Sequence, residues 1–202
     1  KIYVVPLAYE PPAAETQYAE DSDDEIGSDS DLHVLWLGSV SVSKGIQYLV
    51  DAARQLSGAP IRFSVVGPIQ ITDQAVASAP SSVTFEGAVP RDRVSDWYQT
   101  ADVFVLPTLS DGFAITQLEA MAHGLPVVTT PNCGRVVTEG EDGRVVPPRN
   151  AEALVETLVY FEENRDELAR MGRQARKTSG QYTLDRVGTR FEEVVSNVKS
   201  DV

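Results

Sequence analysis

The sequence is poor in the residues that build covalent or metal-based frameworks. It has one cysteine, Cys133, and two histidines among 202 residues. A single thiol excludes an internal disulfide, and no Cys or His stands at metal-ligand spacing from it, so no metal site and no metal or other cofactor is expected. So little cysteine is typical of a reducing compartment, and we expect a cytoplasmic protein.

Long apolar runs are also missing. No stretch approaches the ~18 apolar residues that a membrane-spanning helix needs. The longest, such as Val103–Leu106, have the length of buried strands. No signal-peptide pattern opens the chain, which begins at Lys1, and we expect this start to be the cut end of a longer protein.

Positive charge is scarce, with Lys+Arg 17 against Asp+Glu 30 and a net charge of -13. This sign excludes nucleic acid as an expected partner. Residues 1–31 alone hold nine acidic residues and one lysine. We predict that 1–31 is an interdomain linker with a disordered acidic segment, because it is polar and self-repelling. Two Asp-x-Asp patterns, at 21–23 and 29–31, match those of metal-dependent sugar transferases, but so acidic a run produces them by composition alone.

From Leu32 onward, short apolar runs alternate with segments of helical period. This alternation predicts an α/β fold, a Rossmann-like doubly wound parallel sheet of about six strands with helices on both faces. The predicted strands are Leu32–Leu37, Ile61–Val66, Val83–Phe85, Val103–Leu106, Val127–Thr129 and Arg144–Val146. The predicted helices are Gly45–Leu56, Ile71–Ala79, Arg91–Thr100, Ile115–His123, Ala151–Asn164, Asp166–Lys177 and Thr183–Lys199. Asp166 is expected to cap a helix start, and Gly58 and Gly124 to mark helix ends.

The loop Pro107–Ala114 follows the fourth predicted strand and carries the first candidate site, because ligands of such sheets bind at the carboxyl ends of strands. Gly112 and Ala114 permit close backbone approach where the next helix begins at Ile115. Free N–H groups and the helix dipole make this point a candidate anion site.

The helix after this loop has a predicted buried stripe of Ile115, Leu118 and Ala122. Gln117 and Ala120 are expected to face outward. Glu119 lies beside the stripe, and two interpretations stay open: a surface carboxylate turned to solvent, or a carboxylate that accepts ligand hydroxyls.

The loop Gly38–Gly45 follows the first predicted strand and holds Lys44, the only lysine between residues 2 and 176. A lone ammonium in a strand-to-helix loop is a candidate phosphate contact, although taken alone it is more often a solvated surface lysine. The order of residues is not that of a P-loop.

Three motifs together resemble a known family. They are Gly38…Lys44-Gly45, then Asp111-Gly112-Phe113-Ala114-Ile115…Glu119-Ala120-Met121-Ala122-His123-Gly124-Leu125-Pro126, then Gly140-Glu141-Asp142-Gly143…Pro147-Pro148. In this order and spacing they resemble the carboxyl-terminal, donor-binding half of retaining glycosyltransferases with the GT-B fold, the group 1 or family 4 enzymes. The stretch 1–6 is similar to the strand and linker between the two domains of such enzymes.

The resemblance implies a donor-binding domain at 32–182, which takes a nucleoside-diphosphate sugar without a metal, and a final helix at 183–202 that packs toward a missing N-terminal domain. That domain would supply the acceptor site, and a membrane-associated acceptor would bind through it. The implied donor-binding residues are Gly38, Ser39, Lys44, Gly67, Val89, Gly112, Phe113, Ala114 and Ile115. Of these, Lys44 and the backbone at 112–115 would meet the diphosphate and sugar, while Gly67 and Val89 border the base. The implied catalytic residues are Asp111, which contacts the transferred sugar, and Glu119, which binds the ribose.

Two departures from the family pattern lower the expected donor affinity. Asp111 replaces the glutamate of an E-x7-E motif, and Ser39 and Ser43 stand where an arginine is common. The diphosphate would then meet only Lys44 and the helix, unless another residue such as Arg135 compensates. The alternative function is therefore a non-catalytic nucleotide-binding or scaffolding module with a decayed phosphate site. Structural roles are expected for His33, His123, Trp36 and Trp97.

Overall fold

A computed structural model describes residues 5–10 and 30–200, with side chains as far as 198. The predicted strand at 1–6 falls mostly outside this range, and so does most of the acidic segment, since residues 11–29 are not described. Within the described residues, none of the helices has the length and apolar character that crossing a membrane requires.

Among the described residues, six parallel strands form one sheet, in the order β3-β2-β1-β4-β5-β6. The strands are β1 Leu32–Leu37, β2 Ile61–Val66, β3 Val83–Gly87, β4 Val103–Leu106, β5 Val127–Thr129 and β6 Gly143–Val145. The order reverses between β1 and β4, which pair directly through Val34–Val103 and Leu35–Phe104. The predicted doubly wound sheet is confirmed, and its reversal point is where such folds bind ligands.

Seven α-helices connect and cover the strands in the described part of the chain. They are α1 Ile46–Gln55, α2 Asp73–Ala77, α3 Val94–Thr100, α4 Ile115–Ala122, α5 Ala151–Glu163, α6 Arg165–Ser179 and α7 Leu184–Ser200. Helix α1 packs on α5 and α4 packs on α6. Because right-handed crossovers leave β1 and β4 in opposite directions, these two pairs cover opposite faces of the sheet. The strands are consequently buried on both sides and lack a polar-apolar alternation.

Several predicted boundaries are wrong by a few residues. The segment Ile71–Ala79 yields only the short α2, because Thr72 caps it by accepting a hydrogen bond from the Ala75 N–H at 3.2 Å. The predicted helix Arg91–Thr100 begins with a separate 3-10 turn, Arg91–Arg93. The last strand, β6, starts at Gly143 rather than Arg144. Asp166 does not cap α6: it lies in the first turn, where its charge favours the helix dipole, and Asn164 holds the cap position.

The histidine and tryptophan of β1 are buried in the sheet. The Nδ1 atom of His33 lies 2.6 Å from the Thr100 carbonyl oxygen, and its Nε2 atom lies 2.8 Å from Ser64 Oγ. Burial lowers the pKa of His33, so the ring is held neutral. Trp36 is fully buried. Both side chains therefore have packing roles.

The segment 5–10 is attached to the turn before α7. The Tyr9 N–H donates to the Tyr182 carbonyl at 2.9 Å, and the Leu184 N–H donates to the Glu10 carboxylate at 3.1 Å. Helix α7 itself exposes apolar side chains, with Leu184 63%, Phe191 56% and Val198 45% exposed. Packing of this face on a preceding domain stays a prediction.

Candidate functional site

A cavity of about 330 Å³ opens where the carboxyl ends of β1 and β4 meet. Its wall consists of Leu7, Leu37, Gly38, Lys44, Leu106, Asp111, Phe113, Ala114, Ile115 and Thr116. Six of these were predicted as site residues from two separate loops. The topology brings them together because both loops leave the sheet at its reversal point.

Gly45 and Pro107 join these two loops. Gly45 has φ +80, and a Cβ atom there would overlap the Pro107 carbonyl oxygen, so only glycine permits the contact. Beside it, the Leu109 N–H donates to the Ser43 carbonyl at 2.9 Å, and the Thr108 hydroxyl donates to the same oxygen at 3.2 Å. The close contact between the two loops places Lys44 beside the loop that precedes α4.

Lys44 and Asp111 form an ion pair at the cavity wall, through Nζ and Oδ2. The other carboxylate oxygen, Oδ1, accepts the N–H groups of Phe113 at 3.1 Å and Ala114 at 2.8 Å. Burial alone would raise the pKa of Asp111, but the Lys44 ammonium and the two N–H donors together lower it. The carboxylate is therefore ionised and surrounded by the positive groups of the site.

Ala114 adopts a left-handed conformation, with φ 58 and ψ 76, directly before α4. A non-glycine residue in this region carries strain and commonly marks a functional site. Ala114 occupies the cap position of α4 and has no side-chain oxygen to bond the first-turn N–H groups. The turn thus presents uncapped backbone donors and the positive end of the helix at the cavity.

Gln117 and Ala120 are fully buried, so the prediction that they face outward is wrong. The Gln117 amide donates to the carbonyl oxygens of Phe113 at 2.6 Å and Gly134 at 3.2 Å. Gly134 allows this contact, because a Cβ atom there would lie 2.9 Å from the Phe113 oxygen. Helix α4 is buried over a wide arc since the sheet, α6 and the loop after β5 all cover it. Gln117 therefore stabilises the strained turn before α4 from inside the protein. The sequence pattern did not reveal this role.

Glu119 is half-buried and has a protein partner. The Tyr98 hydroxyl donates to Glu119 Oε2 at 2.9 Å. Tyr98 is buried and stacks on His123, with ring centroids 4.9 Å apart. Glu119 does not line the cavity. The tyrosine explains how a carboxylate is tolerated beside a buried stripe.

The other predicted donor residues are not part of the cavity wall. Gly67 supports Gly38, because a Cβ atom at Gly67 would overlap the Gly38 carbonyl. Ser39 and Gly112 each adjoin a wall residue in sequence, and Val89 packs against the core. Arg135 is exposed and is not part of the described wall, so its predicted compensation for the missing family arginine finds no support here.

Sequence reasoning missed the apolar part of the wall, formed by Leu7, Leu37 and Leu106. Leu37 and Leu106 are the last residues of β1 and β4, so the reversal of strand order would have indicated them. Leu7 carries no local signal, because it reaches the cavity from a distant part of the chain.

Cys133 lies beside Thr129, outside the cavity wall. Among the described residues, no group of three or more His, Cys, Asp or Glu side chains is placed to hold a metal ion. The Cys133 thiol lies 3.1 Å from the Thr129 hydroxyl, and burial raises its pKa. A thiol with a raised pKa is a poor nucleophile at neutral pH.

Comparison with known proteins decides the family. The model of the family described as "Glycosyl transferases group 1" matches residues 31–164. The chain belongs to the group 1 glycosyltransferases. It is 29% identical over 162 residues to the putative colanic acid biosynthesis glycosyltransferase WcaL of Escherichia coli K12, covering 72% of this chain and 40% of that protein. It is also 29% identical over 154 residues to the sulfoquinovosyl transferase SQD2 of Arabidopsis thaliana, covering 74% and 30%. The chain thus spans less than half the length of these curated relatives.

Solved structures of glycosyltransferases share the fold. Sucrose-phosphate synthase of Thermosynechococcus elongatus superposes with a TM-score of 0.75 at 21% identity, over 98% of this chain and 53% of that one. Anabaena HepE in complex with UDP superposes with a TM-score of 0.71 at 19% identity, over 95% of this chain and 54% of that one. The C-terminal domain of the group 1 protein LpcC of Francisella tularensis superposes with a TM-score of 0.67 at 18% identity, over 89% of this chain and 97% of that one. The chain therefore has the Rossmann-like fold of one half of a GT-B enzyme.

Proposed function

We propose that this chain is the donor-binding domain of a retaining glycosyltransferase that takes a sugar from a nucleoside-diphosphate sugar. One observation carries the proposal. Lys44 and the uncapped start of α4 converge on one cavity at the reversal point of the sheet. A lysine and a helix N-terminus facing one cavity form a site suited to a diphosphate. HepE, a structural neighbour, forms complexes with UDP and with UDP-glucose, which supports this ligand class.

The family resemblance supplies the proposed roles, and the cavity supports those of Lys44 and the turn before α4. Lys44 and the backbone N–H groups at 112–115 bind the diphosphate and stabilise the charge that develops as it leaves. These groups replace a metal ion in that task. Asp111 contacts the transferred sugar, and Glu119 accepts the ribose hydroxyls while Tyr98 orients it. An acceptor hydroxyl would attack in the cleft toward the preceding domain, with retention at the sugar carbon.

The domain limits follow the same proposal. Residues 32–182 bind the donor, 1–31 connect to the acceptor domain, and the apolar face of α7 within 183–202 packs toward that domain. A membrane-associated acceptor would reach the site through the acceptor domain, and the protein would act in the cytoplasm. This chain alone should show no sugar transfer, because the acceptor half is not in its sequence. Detectable transfer by the isolated chain would contradict these assignments.

A non-catalytic nucleotide-binding or scaffolding module with a decayed phosphate site is the second candidate. Two observations favour it. Ser39 and Ser43 stand where an arginine would give the phosphate a second cation, and Lys44 is paired with Asp111. Nucleotide affinity separates the two functions, since a decayed phosphate site binds no diphosphate.

Calorimetric titration of the chain with UDP, GDP and ADP tests the proposal. We expect saturable binding of one nucleotide, because the loops that contain Gly67 and Val89 would border the base and select one base. Lys44→Ala and Glu119→Gln should each weaken it about tenfold, by removing a phosphate contact or the ribose acceptor.

Lys177→Ala and Glu152→Gln are the matched controls, since both side chains are exposed on helices away from the cavity. Neither should change the affinity. Tight binding that survives Lys44→Ala would contradict the lysine assignment. A folded chain that binds none of the three nucleotides at millimolar concentration would support a non-catalytic scaffolding module.

A further inference from the structure

Asp111 already makes the contacts that the site offers to a phosphate. Its carboxylate pairs with Lys44 and accepts two backbone N–H groups, from Phe113 and Ala114, at the turn before α4. These are the charged side chain and two of the backbone donors that the cavity presents to an anion. In the structure they surround a carboxylate that belongs to the protein itself.

The length of the side chain explains this arrangement. Aspartate readily accepts hydrogen bonds from N–H groups two and three residues further along the chain, as Asp111 does from Phe113 and Ala114. A glutamate, one methylene longer, does not close this local turn as readily. The aspartate at this position therefore places its charge at the start of α4 rather than further into the cavity.

The ion pair is partly withdrawn from water. The Lys44 side chain is 27% exposed and the Asp111 side chain is 17% exposed. A phosphate that reached Lys44 while the ion pair stayed closed would lie beside the Asp111 carboxylate, and two anions so close together repel each other. An incoming anion must therefore take over Lys44 as Asp111 releases it.

We propose that Asp111 is an internal competitor of the donor diphosphate, and that donor binding is an exchange in which Lys44 passes from the Asp111 carboxylate to the phosphate. The inference rests on the proposed function for the identity of the anion. In the free protein the carboxylate occupies the positive groups and lowers the apparent affinity for phosphate, since the open state is only a fraction of the population. Once released, Asp111 is available to the sugar.

Two substitutions separate the charge of Asp111 from its turn. Asp111→Asn keeps an oxygen that accepts the Phe113 and Ala114 N–H groups but removes the charge that holds Lys44. Asp111→Ala frees Lys44 and both N–H groups. The matched control is Asp51→Asn, which neutralises an aspartate paired with Arg54 on an exposed part of α1, 52% exposed itself.

The probe is inorganic pyrophosphate, measured by calorimetry, with the amide NMR signals of Phe113 and Ala114 as a second readout. We expect Asp111→Asn and Asp111→Ala to bind pyrophosphate about tenfold more tightly than the unchanged chain, and Asp51→Asn to bind as the unchanged chain does. Pyrophosphate should also shift the two amide signals of the unchanged chain, because their hydrogen-bond acceptor changes from the Asp111 carboxylate to the phosphate.

Weaker, equal or undetectable pyrophosphate binding by the folded Asp111 variants would overturn the inference. An affinity gain as large in Asp51→Asn would also overturn it, because the effect would then be one of net charge. The inference and the proposed function fail separately. If the Asp111 variants gain pyrophosphate affinity while no variant binds UDP, GDP or ADP, the exchange stands and the nucleotide-sugar function is wrong.

Discussion

Gly45 and Pro107 approach so closely that a Cβ atom on Gly45 would overlap the Pro107 carbonyl oxygen. The contact lies between the loops that follow β1 and β4, and Lys44 directly precedes it. The position of the lysine at the cavity therefore depends on a residue with no side chain.

Gly45→Ala should destabilise the protein by about 3 kcal/mol, because it combines backbone strain at φ +80 with the overlap at Pro107. Gly58→Ala is the control: Gly58 has φ +90 but nothing within 4 Å, so only the strain of about 1 kcal/mol applies. Urea unfolding of both variants measures the difference. Equal losses would show that the contact with Pro107 is unimportant.

Gln117→Glu should destabilise the protein by about 3 kcal/mol at neutral pH, because it replaces a donor with a carboxylate that faces two carbonyl oxygens. The loss should shrink at acidic pH as the new carboxyl becomes protonated. Gln74→Glu, on the exposed surface of α2, should change stability little at any pH. An unchanged unfolding midpoint for Gln117→Glu would show that Gln117 does not stabilise the turn before α4.

Asp142 should make the stability fall as pH rises from about 4. This carboxyl is 1% exposed, and burial raises its pKa, although the Thr178 hydroxyl and the Thr138 N–H both donate to it at 2.7 Å. Because the folded protein holds this proton more tightly than the unfolded chain, its contribution to stability is present below the ordinary carboxyl pKa. That contribution is lost as pH rises through the raised one.

Asp142→Asn removes this titration, so unfolding measured at several pH values should show a flatter profile for the variant as pH rises above about 4. Parallel profiles for the two proteins would contradict the assignment.

His33 should act in the opposite direction. Burial lowers its pKa, so the unfolded chain binds a proton more readily than the folded protein does. The contribution to stability is therefore complete above about pH 6.5 and is lost as pH falls through the lowered pKa. The variant His33→Gln, although less stable overall, should lack this slope in urea unfolding just below pH 6.5. A slope that persists in the variant would assign the effect to another group.

The sheet was predictable because its strands are short apolar runs bounded by polar or turn residues. The limits of β1, β2, β4 and β5 were predicted correctly from this pattern. Helix α2 was overestimated, because a cap by Thr72 depends on a local hydrogen bond rather than on periodicity.

The site was predictable as far as it follows from topology. Lys44 and Asp111 are 67 residues apart in sequence, and they meet because β1 and β4 are neighbours at the reversal point. The burial of Gln117 was not predictable, since it depends on α6 and on the loop around Gly134, which the pattern of α4 alone does not contain. The capture of the Asp111 carboxylate by its own turn depends on the conformation of Ala114, which sequence spacing does not specify.

The hydrogen bonds of Tyr9 with Tyr182 and of Glu10 with Leu184 hold the segment 5–10 against the turn that precedes α7. Leu7 belongs to this segment and also to the wall of the cavity. One short stretch of backbone therefore links the start of α7 to the cavity. A displacement of α7 would move Leu7 and change the shape of the cavity wall.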